Sequence, residues 1–148
     1  MNGEHQPEVV RRRFEPGESE AGAPFWAASR EQQLVLPWCG ACARPHWFPR
    51  DVCPFCLGAT LEWRPASGRG VVHAASVMPK AAMPVLADRV PYVVALVELE
   101  EGVRLMTNVI DVDDVAAAGE AGSLIGAPVE AAWEPLSDGR HLLVFRPS

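Results

Sequence analysis

The stretch from Cys39 to Cys56 reads CGACARPHWFPRDVCPFC and contains all four cysteines of the chain. Its two C-x-x-C pairs are separated by ten residues, a spacing at which four thiolates can surround one metal ion tetrahedrally. Each pair is expected to form a tight knuckle, and the interval between them suits a short hairpin. The pattern therefore predicts a zinc ribbon in which Cys39, Cys42, Cys53 and Cys56 bind one structural Zn2+ per chain.

Two other interpretations of the cysteines remain open. Disulfides would need an oxidising compartment, but the sequence opens with charged residues and shows no apolar leader, so we expect reduced thiols and a cytoplasmic protein. Iron, as in a rubredoxin-like electron carrier, is the second alternative, although ten intervening residues leave little chain to bury a redox iron. With four thiolates on the metal, no coordination position is open to water and no cysteine is left to act as a nucleophile.

Composition sets the size and the charge of the molecule. The chain has 148 residues, 49% of them hydrophobic, which is enough for one modest core beside the ribbon. No apolar run is long enough to span a membrane, and the net charge of −6 falls mainly on residues 67–148. A generic nucleic-acid surface is therefore disfavoured. A single lysine, Lys80, beside twelve arginines suggests a bacterial genome rich in G and C, of the actinobacterial kind.

The order of local signals predicts three segments: a flexible tail over residues 1–22, an N-terminal helix and ribbon over 23–66, and a second domain over 67–148. The first turn of the helix contains Pro24, where a proline is best tolerated. In the ribbon, strands are predicted at Leu34–Leu36, at His46–Phe48 as the return strand, and at Leu61–Trp63. His46 is interpreted as a residue at the rim of the ribbon, not as a ligand that replaces one of the thiolates.

After residue 70 the hydrophobic pattern changes to a period of two, which is typical of strands. The expected elements are Val71–Met78, Tyr92–Leu99, a hairpin at Glu100-Glu101-Gly102, Val103–Ile110, a short helix after Asp113-Asp114, Val129–Trp133 and His141–Phe145. Three strands, a short helix and two strands follow the order of an OB-fold, a five-stranded Greek-key barrel. The predicted fold class is mainly β: an N-terminal helix and rubredoxin-like ribbon followed by this barrel.

The barrel sequence also bears on function. OB-folds that bind single-stranded nucleic acid present stacked aromatics and basic residues on their second and third strands. Here those strands offer one aromatic, Tyr92, with several glutamates near the hairpin and Arg104 opposite them. His73 and His141 lie in strand patterns, where a structural role is the simpler interpretation than that of a catalytic base. A single-stranded nucleic-acid binder remains the alternative function, and an independent redox or hydrolytic enzyme is a third.

From about Phe25 to Pro147, the chain resembles the acyl-CoA-associated zinc-ribbon OB-fold proteins, a former domain of unknown function. The resemblance rests on the order of its motifs: Phe25-Trp26, Cys39-x-x-Cys42, Trp47-Phe48-Pro49-Arg50, Cys53-Pro-x-Cys56, Trp63, Ser67-Gly68-x-Gly70, Pro91 to Leu99, Gly102 and Phe145-Arg146-Pro147. Two features depart from the family pattern. His73 replaces an aromatic or hydroxyl residue, and Ala43 and Leu57 replace the glycines that follow each second knuckle cysteine.

The resemblance implies a non-catalytic accessory subunit or scaffold that belongs to a hetero-oligomer. Its partner would be a thiolase-like or lipid-transfer-protein-like enzyme, including steroid side-chain retro-aldolases, or a MaoC-like enoyl-CoA hydratase. The chemistry would then lie in the partner, and the small chain would help hold the acyl-CoA. No catalytic residue is assigned to this chain, whose activity is expected only as part of such a complex.

Two further surfaces are predicted from the residues. Phe25, Trp26, Trp38, Trp47 and Phe48 are many large apolar groups for so small a module, which suggests a patch that docks a partner; packing of the ribbon onto the barrel is the equal alternative. The connection from Pro79 to Arg89 is long, bounded by proline, and carries Lys80 and Arg89. These two cations are expected to bind the phosphates of CoA. The alternative is that the connection is a solvated loop that binds no ligand.

Overall fold

The computed structural model describes residues 15–118 and 123–148. Helix α1 spans Ala23–Arg30, and the strands are β1 Val35–Cys39, β2 Leu61–Pro65, β3 Arg69–Met78, β4 Tyr92–Leu99, β5 Arg104–Val109, β6 Pro128–Pro135 and β7 His141–Pro147. A 3-10 turn at Pro84–Leu86 and the short helix α2, Val115–Ala118, lie in the connections. None of the helices in this described part is long and apolar enough to cross a bilayer.

Strands β3 to β7 close into a barrel with the order β3-β4-β5-β7-β6. Successive side chains of a strand point to opposite faces of the sheet. On β4 the side chains that point into the barrel are Val93, Ala95, Val97 and Leu99, and all four are buried. Closure occurs where β5 meets β7 in parallel at Val109 and Phe145. The predicted five-stranded OB-fold is confirmed, and its strands begin and end within a few residues of the predicted bounds.

Two local features shape β3 and the β4–β5 hairpin. Gly102 has φ of +80°, so the glycine in the predicted tight turn occupies the left-handed region that side chains disfavour. In β3, Val72 pairs with Val97 and Ala74 with Leu96, which leaves His73 as the extra residue of a β-bulge. His73 is exposed there, so its side chain contributes little to the core.

The N-terminal helix joins the ribbon to the barrel. Pro24 lies in the first turn of α1, as predicted, and the helix packs against β7. The Nδ1 atom of His141 is 2.9 Å from the Ser29 carbonyl oxygen, and Arg30 donates to the Asp138 carbonyl oxygen at 2.7 Å. Leu34 and Leu36, at the start of the ribbon, belong to the same buried cluster as the barrel core. The predicted structural role of His141 agrees with this position.

The prediction of a return strand at His46–Phe48 was wrong. Only a single bridge forms, between Trp38 and Pro45, and β1 pairs along its whole length with β2 instead. The physical reason lies in this segment's prolines and in a turn. Pro45 and Pro49 cannot donate to a ladder, and His46 Nδ1 lies 2.9 Å from the carbonyl oxygen of Phe48, closing the chain on itself.

Part of the predicted tail is described. Glu15 accepts hydrogen bonds from the backbone and the hydroxyl of Ser137, both at 2.7 Å, and Arg140 donates to the carbonyl oxygen of Pro16 at 2.9 Å. Residues 15 and 16 therefore lie against the turn between β6 and β7. Residues 1–14 of the predicted tail lie outside the described residues.

Candidate functional site

The four cysteines meet at one point between the two knuckles. Their Sγ atoms all lie within 4.8 Å of one another, and the Cys39–Cys56 and Cys42–Cys53 sulfur pairs are each 3.6 Å apart. A disulfide would bring two sulfurs to about 2 Å, so these are free thiols. A tetrahedral site with Zn–S distances of about 2.3 Å places its sulfurs about 3.8 Å apart. The sulfur geometry therefore fits one zinc ion.

Each knuckle is built by backbone hydrogen bonds that turn the chain around its cysteines. The N–H of Ala43 donates to the Cys39 carbonyl at 2.8 Å, and the N–H of Leu57 donates to the Cys53 carbonyl at 3.0 Å. Ala43 and Leu57 have φ values of +57° and +62°. These are the two positions where the sequence lacks the family's glycine, and the structure shows why glycine suits them. The fold tolerates the departure at a cost of about 1 kcal/mol for each residue.

The knuckle backbone and burial also shift the pKa values of the cysteine thiols. A hydrogen bond from the Cys42 backbone N–H is the main reason that the pKa of Cys39 falls to about 7. Burial raises the pKa of Cys42 to about 12. At Cys53 burial acts in the same upward direction, but backbone N–H groups of Cys56 and Phe55 outweigh it and lower the pKa. Two thiols are thus favoured as thiolates, the form that binds metal.

His46 is not at the rim of the ribbon, as the sequence suggested, but buried, with 5% of its surface exposed. It is not part of the sulfur cluster. Its Nδ1 faces the Phe48 carbonyl oxygen, which can only accept, so Nδ1 carries the proton and Nε2 is left as an acceptor in the neutral ring. Among the described residues, no hydrogen-bond partner reaches the buried Nε2.

The large aromatics near the ribbon have different surroundings. Phe25 packs edge-on against Trp26 and Trp47, with ring centroids 5.1 and 5.5 Å apart, and the Arg140 guanidinium lies 4.6 Å from the Trp26 ring. Phe25, Trp38 and Trp47 also pack against the core. Phe48 differs from these four, because 67% of its surface is exposed.

The connection between β3 and β4 forms one wall of a cavity at the end of the barrel. The cavity measures about 320 Å³, and apolar side chains line most of it. Arg89 lies at this cavity and pairs with Glu134 at 3.1 Å, whereas Lys80 does not line it. The structure thus places the two predicted CoA-binding cations in different surroundings. Sequence reasoning missed the part of the lining that comes from residues 108–115, because that segment carries no local signal of a binding site.

The outer face of β4 and β5 is apolar at its centre. Leu96 and Met106 are directly paired and are 37% and 71% exposed. On the same face, two rungs further along the ladder, Glu98 and Arg104 form an ion pair, which lowers the pKa of Glu98 chiefly through the hydrogen bond from Arg104. No aromatic side chain lies among these four. This arrangement suits a protein surface better than a row of bases.

Comparison with known families gives two adjacent matches. Residues 26–62 match the model described as "ChsH2, rubredoxin-like zinc ribbon domain", and residues 63–134 match "ChsH2, C-terminal OB-fold domain". Together the two models cover most of the chain.

Individual relatives agree with these matches. A "DUF35 domain-containing scaffold protein" of Methanocaldococcus jannaschii is 32% identical over 117 residues, which are 76% of this chain and 77% of the relative. A "Probable enoyl-CoA hydratase alpha subunit" of Thermomonospora curvata is 33% identical over 147 residues, or 98% of this chain. The chain spans only 42% of that relative's length.

Solved structures show the same fold. The chain matches one chain of the structure "Ltp2-ChsH2(DUF35) aldolase" with a TM-score of 0.75 and 33% identity, covering 90% of this chain and 98% of the other. A protein of the DUF35 family from Sulfolobus solfataricus matches with a TM-score of 0.56 at 15% identity, covering 87% and 86%, which shows the fold alone. The chain therefore belongs to the DUF35 family of ChsH2-type zinc-ribbon OB-fold proteins, and its four cysteines bind one structural zinc ion.

Proposed function

We propose that this protein is an accessory subunit that binds a larger acyl-CoA enzyme and helps hold the enzyme's CoA ester. The partner is a thiolase-like or lipid-transfer-protein-like enzyme, such as a steroid side-chain retro-aldolase, or a MaoC-like hydratase. One observation carries the proposal: 90% of the chain matches a chain of the solved "Ltp2-ChsH2(DUF35) aldolase", a name that joins two components to an aldolase.

The distribution of polar groups supports a role without catalysis of its own. All four thiols belong to the metal site, which is closed to substrate when four thiolates bind zinc. His141 is held by Ser29, and His73 is an exposed bulge residue. Neither histidine is therefore a buried base paired with a nucleophile, which a hydrolytic site would need.

The exposed apolar residues support docking of a partner. Leu96 and Met106 form a strip on the barrel's outer face, and Phe48 is exposed at the ribbon. Protein interfaces are enriched in methionine and aromatic side chains at their centres. Phe25, Trp26 and Trp47 contribute by holding the ribbon in place behind Phe48, while Phe48 itself touches the partner.

The barrel-end cavity supports a role in holding CoA. Its apolar lining next to Arg89 suits a pantetheine arm that ends in phosphates, and Lys80, which does not line the cavity, adds a second positive charge to the same connection. Arg89 would exchange its exposed Glu134 contact for a phosphate, which binds arginine more strongly because the phosphate carries more charge.

The test is co-expression with a neighbouring thiolase-like or hydratase gene, followed by gel filtration and steady-state kinetics. We expect one co-eluting species, and Met106→Glu should separate its components because it places a charge in the apolar strip. In the intact complex, Lys80→Ala with Arg89→Ala should raise KM for acyl-CoA and leave kcat nearly unchanged. Arg64→Ala, which removes an exposed arginine of the ribbon, is the control. Separate elution of the wild-type proteins would contradict the subunit role, and an unchanged KM would contradict the CoA role of this connection.

A further inference from the structure

The two knuckles of the ribbon share one backbone geometry but carry different side chains. Ala43 and Leu57 each follow the second cysteine of a pair, have φ values of +57° and +62°, and donate their N–H to the carbonyl oxygen of the first cysteine. The residues around the first pair of cysteines are small: Gly40, Ala41 and Ala43. The residues around the second pair are larger: Pro54, Phe55 and Leu57. Since both knuckles close in the same way, large apolar side chains are not needed to build the metal site.

Leu57 is unfavourable in two respects within its own fold. Its φ lies in the left-handed region, which glycine adopts more readily than leucine. Its side chain is 75% exposed, so it gains little from packing against the rest of the chain. Strained residues of this kind cluster at functional sites. A contact outside the chain therefore explains a leucine at position 57 better than the stability of the chain does.

Apolar exposure is concentrated around the same knuckle. In the described part of the chain nine large hydrophobic residues are exposed, and four of them lie between residues 48 and 57. Three of these four, which we call the knuckle patch, are Val52, Phe55 and Leu57. The fourth is Phe48, which lines a cavity between the ribbon and the β4–β5 turn together with Phe55. The knuckle patch thus adjoins a residue that the proposed function already assigns to the partner, and clustered exposure of this kind marks interfaces.

The charges beside the knuckle patch are mainly positive. The guanidinium of Arg44 lies 3.7 Å from the centre of the Phe55 ring. Arg50 lines the same cavity as Phe55 and makes no ion pair with any described residue. Asp51 is the single acidic residue between positions 40 and 60, in a protein whose net charge is −6. A partner surface that complements the patch is therefore apolar at its centre and acidic at its edge.

We propose that the second knuckle anchors the partner enzyme. Leu57, flanked by Val52 and Phe55, inserts into an apolar pocket of that enzyme, and acidic side chains at the edge of the pocket pair with Arg44 and Arg50. The proposal rests on the subunit role proposed above. It gives position 57 two opposing effects, because glycine would suit the free chain better, whereas leucine suits the complex.

The experiment compares Leu57→Gly with Ala43→Gly, which relieves the same backbone strain in the other knuckle. Both variants should retain one zinc ion by elemental analysis. Both should raise the Tm of the free chain by about 2–4 °C in circular dichroism, because glycine removes the left-handed strain.

The two variants should differ in binding. The probe is the thiolase-like or hydratase enzyme encoded by the neighbouring gene, purified separately and titrated by surface plasmon resonance. We expect Leu57→Gly to raise Kd about tenfold or more, the loss that follows from removing a leucine side chain buried at an interface. Ala43→Gly should bind as the wild type does.

A second pair of variants tests the charges at the edge of the patch. Arg50→Ala should raise Kd about two- to fivefold, the range for an exposed ion pair, and should reduce its dependence on salt. Arg64→Ala, which removes an exposed arginine of β2, should leave Kd unchanged. An unchanged Kd in Arg50→Ala would overturn the acidic edge of the pocket.

The remaining outcomes separate this proposal from the one on which it rests. No binding by the wild-type chain would overturn the subunit role and the anchor together. Wild-type binding with an unchanged Kd in Leu57→Gly would overturn the anchor alone. An equal loss of affinity in Ala43→Gly would also overturn it, since the effect would then come from the knuckle backbone and not from the leucine side chain. A lower Tm for free Leu57→Gly would overturn the strain argument that carries the proposal.

Discussion

Replacing Gly70 by alanine should destabilise the barrel through a clash with the neighbouring strand. Gly70 pairs with Leu99 where β3 and β4 meet. A Cβ added to Gly70 would overlap the carbonyl oxygen of Glu98 and would come within 3.0 Å of the Val97 Cγ1 atom. The first of these is backbone inside a closed barrel, so it cannot move aside without disturbing the β3–β4 ladder.

The expected cost of Gly70→Ala is about 1–3 kcal/mol in the free energy of unfolding, the range for overpacking a well-packed interior. For a chain of this size, each kcal/mol lowers Tm by about 2–4 °C, so the loss should be about 2–12 °C. Thermal unfolding followed by circular dichroism measures it, with zinc present throughout.

Two other glycines serve as matched controls. Gly17→Ala meets no atom within 4 Å, so its Tm should equal that of the wild type. Gly102→Ala also meets open space but has φ of +80°, so its cost of about 1 kcal/mol isolates backbone strain from the clash. If Gly70→Ala matched Gly17→Ala in Tm, the steric argument would be refuted.

Three further predictions concern the metal, the core and pH. Cys39→Ser should reduce bound zinc from one ion per chain to nearly none by elemental analysis, while Ala41→Ser in the same knuckle retains it; zinc retained by Cys39→Ser would contradict the four-sulfur site. Leu36→Ala removes a fully buried side chain where the ribbon enters the shared core and should cost about 2–5 kcal/mol in urea unfolding, with a smaller loss refuting its place in that core. The hydrogen bond from the backbone N–H of Arg140 is the main cause of the lowered pKa of Asp138. The Asp138 carboxylate therefore stabilises the folded protein above the unfolded pKa of about 3.9, and this stabilisation is lost as the pH falls through the lower folded pKa. Asp138→Asn should therefore flatten the fall in Tm between about pH 5 and pH 2, and parallel curves for the two proteins would contradict this assignment.

Local chemistry explains what the sequence could predict. The spacing of the cysteines from Cys39 to Cys56 was enough to predict the metal site, because both knuckles are closed by hydrogen bonds between residues no more than five apart. The alternation in β4 and the glycine at position 102 are equally local signals, so the strands and the hairpin were predicted close to their observed bounds.

What failed was pairing over longer distances along the chain. The partner of β1 is β2, beyond the second knuckle, whereas the prediction chose the nearer segment at His46. Likewise, Arg50 of the ribbon and Arg104 of β5 line the same cavity only because the ribbon packs beside the β4–β5 turn. Period and spacing say which residues can form a strand, but they do not say which distant strand or side chain will lie beside it.

The seating of α1 on β7 has a consequence for how this protein is made. The first helix of the described chain finds its partner in the last strand, through contacts such as that of Ser29 with His141. β7 is synthesised after the other strands of the barrel, so α1 can dock only once residues 141–147 have left the ribosome. Cysteines 39–56 emerge long before that moment, so zinc can enter the knuckles while the barrel is still incomplete. The order of the elements thus allows the metal to be loaded before the barrel closes, and a truncation that removes β7 should leave α1 without the strand against which it packs.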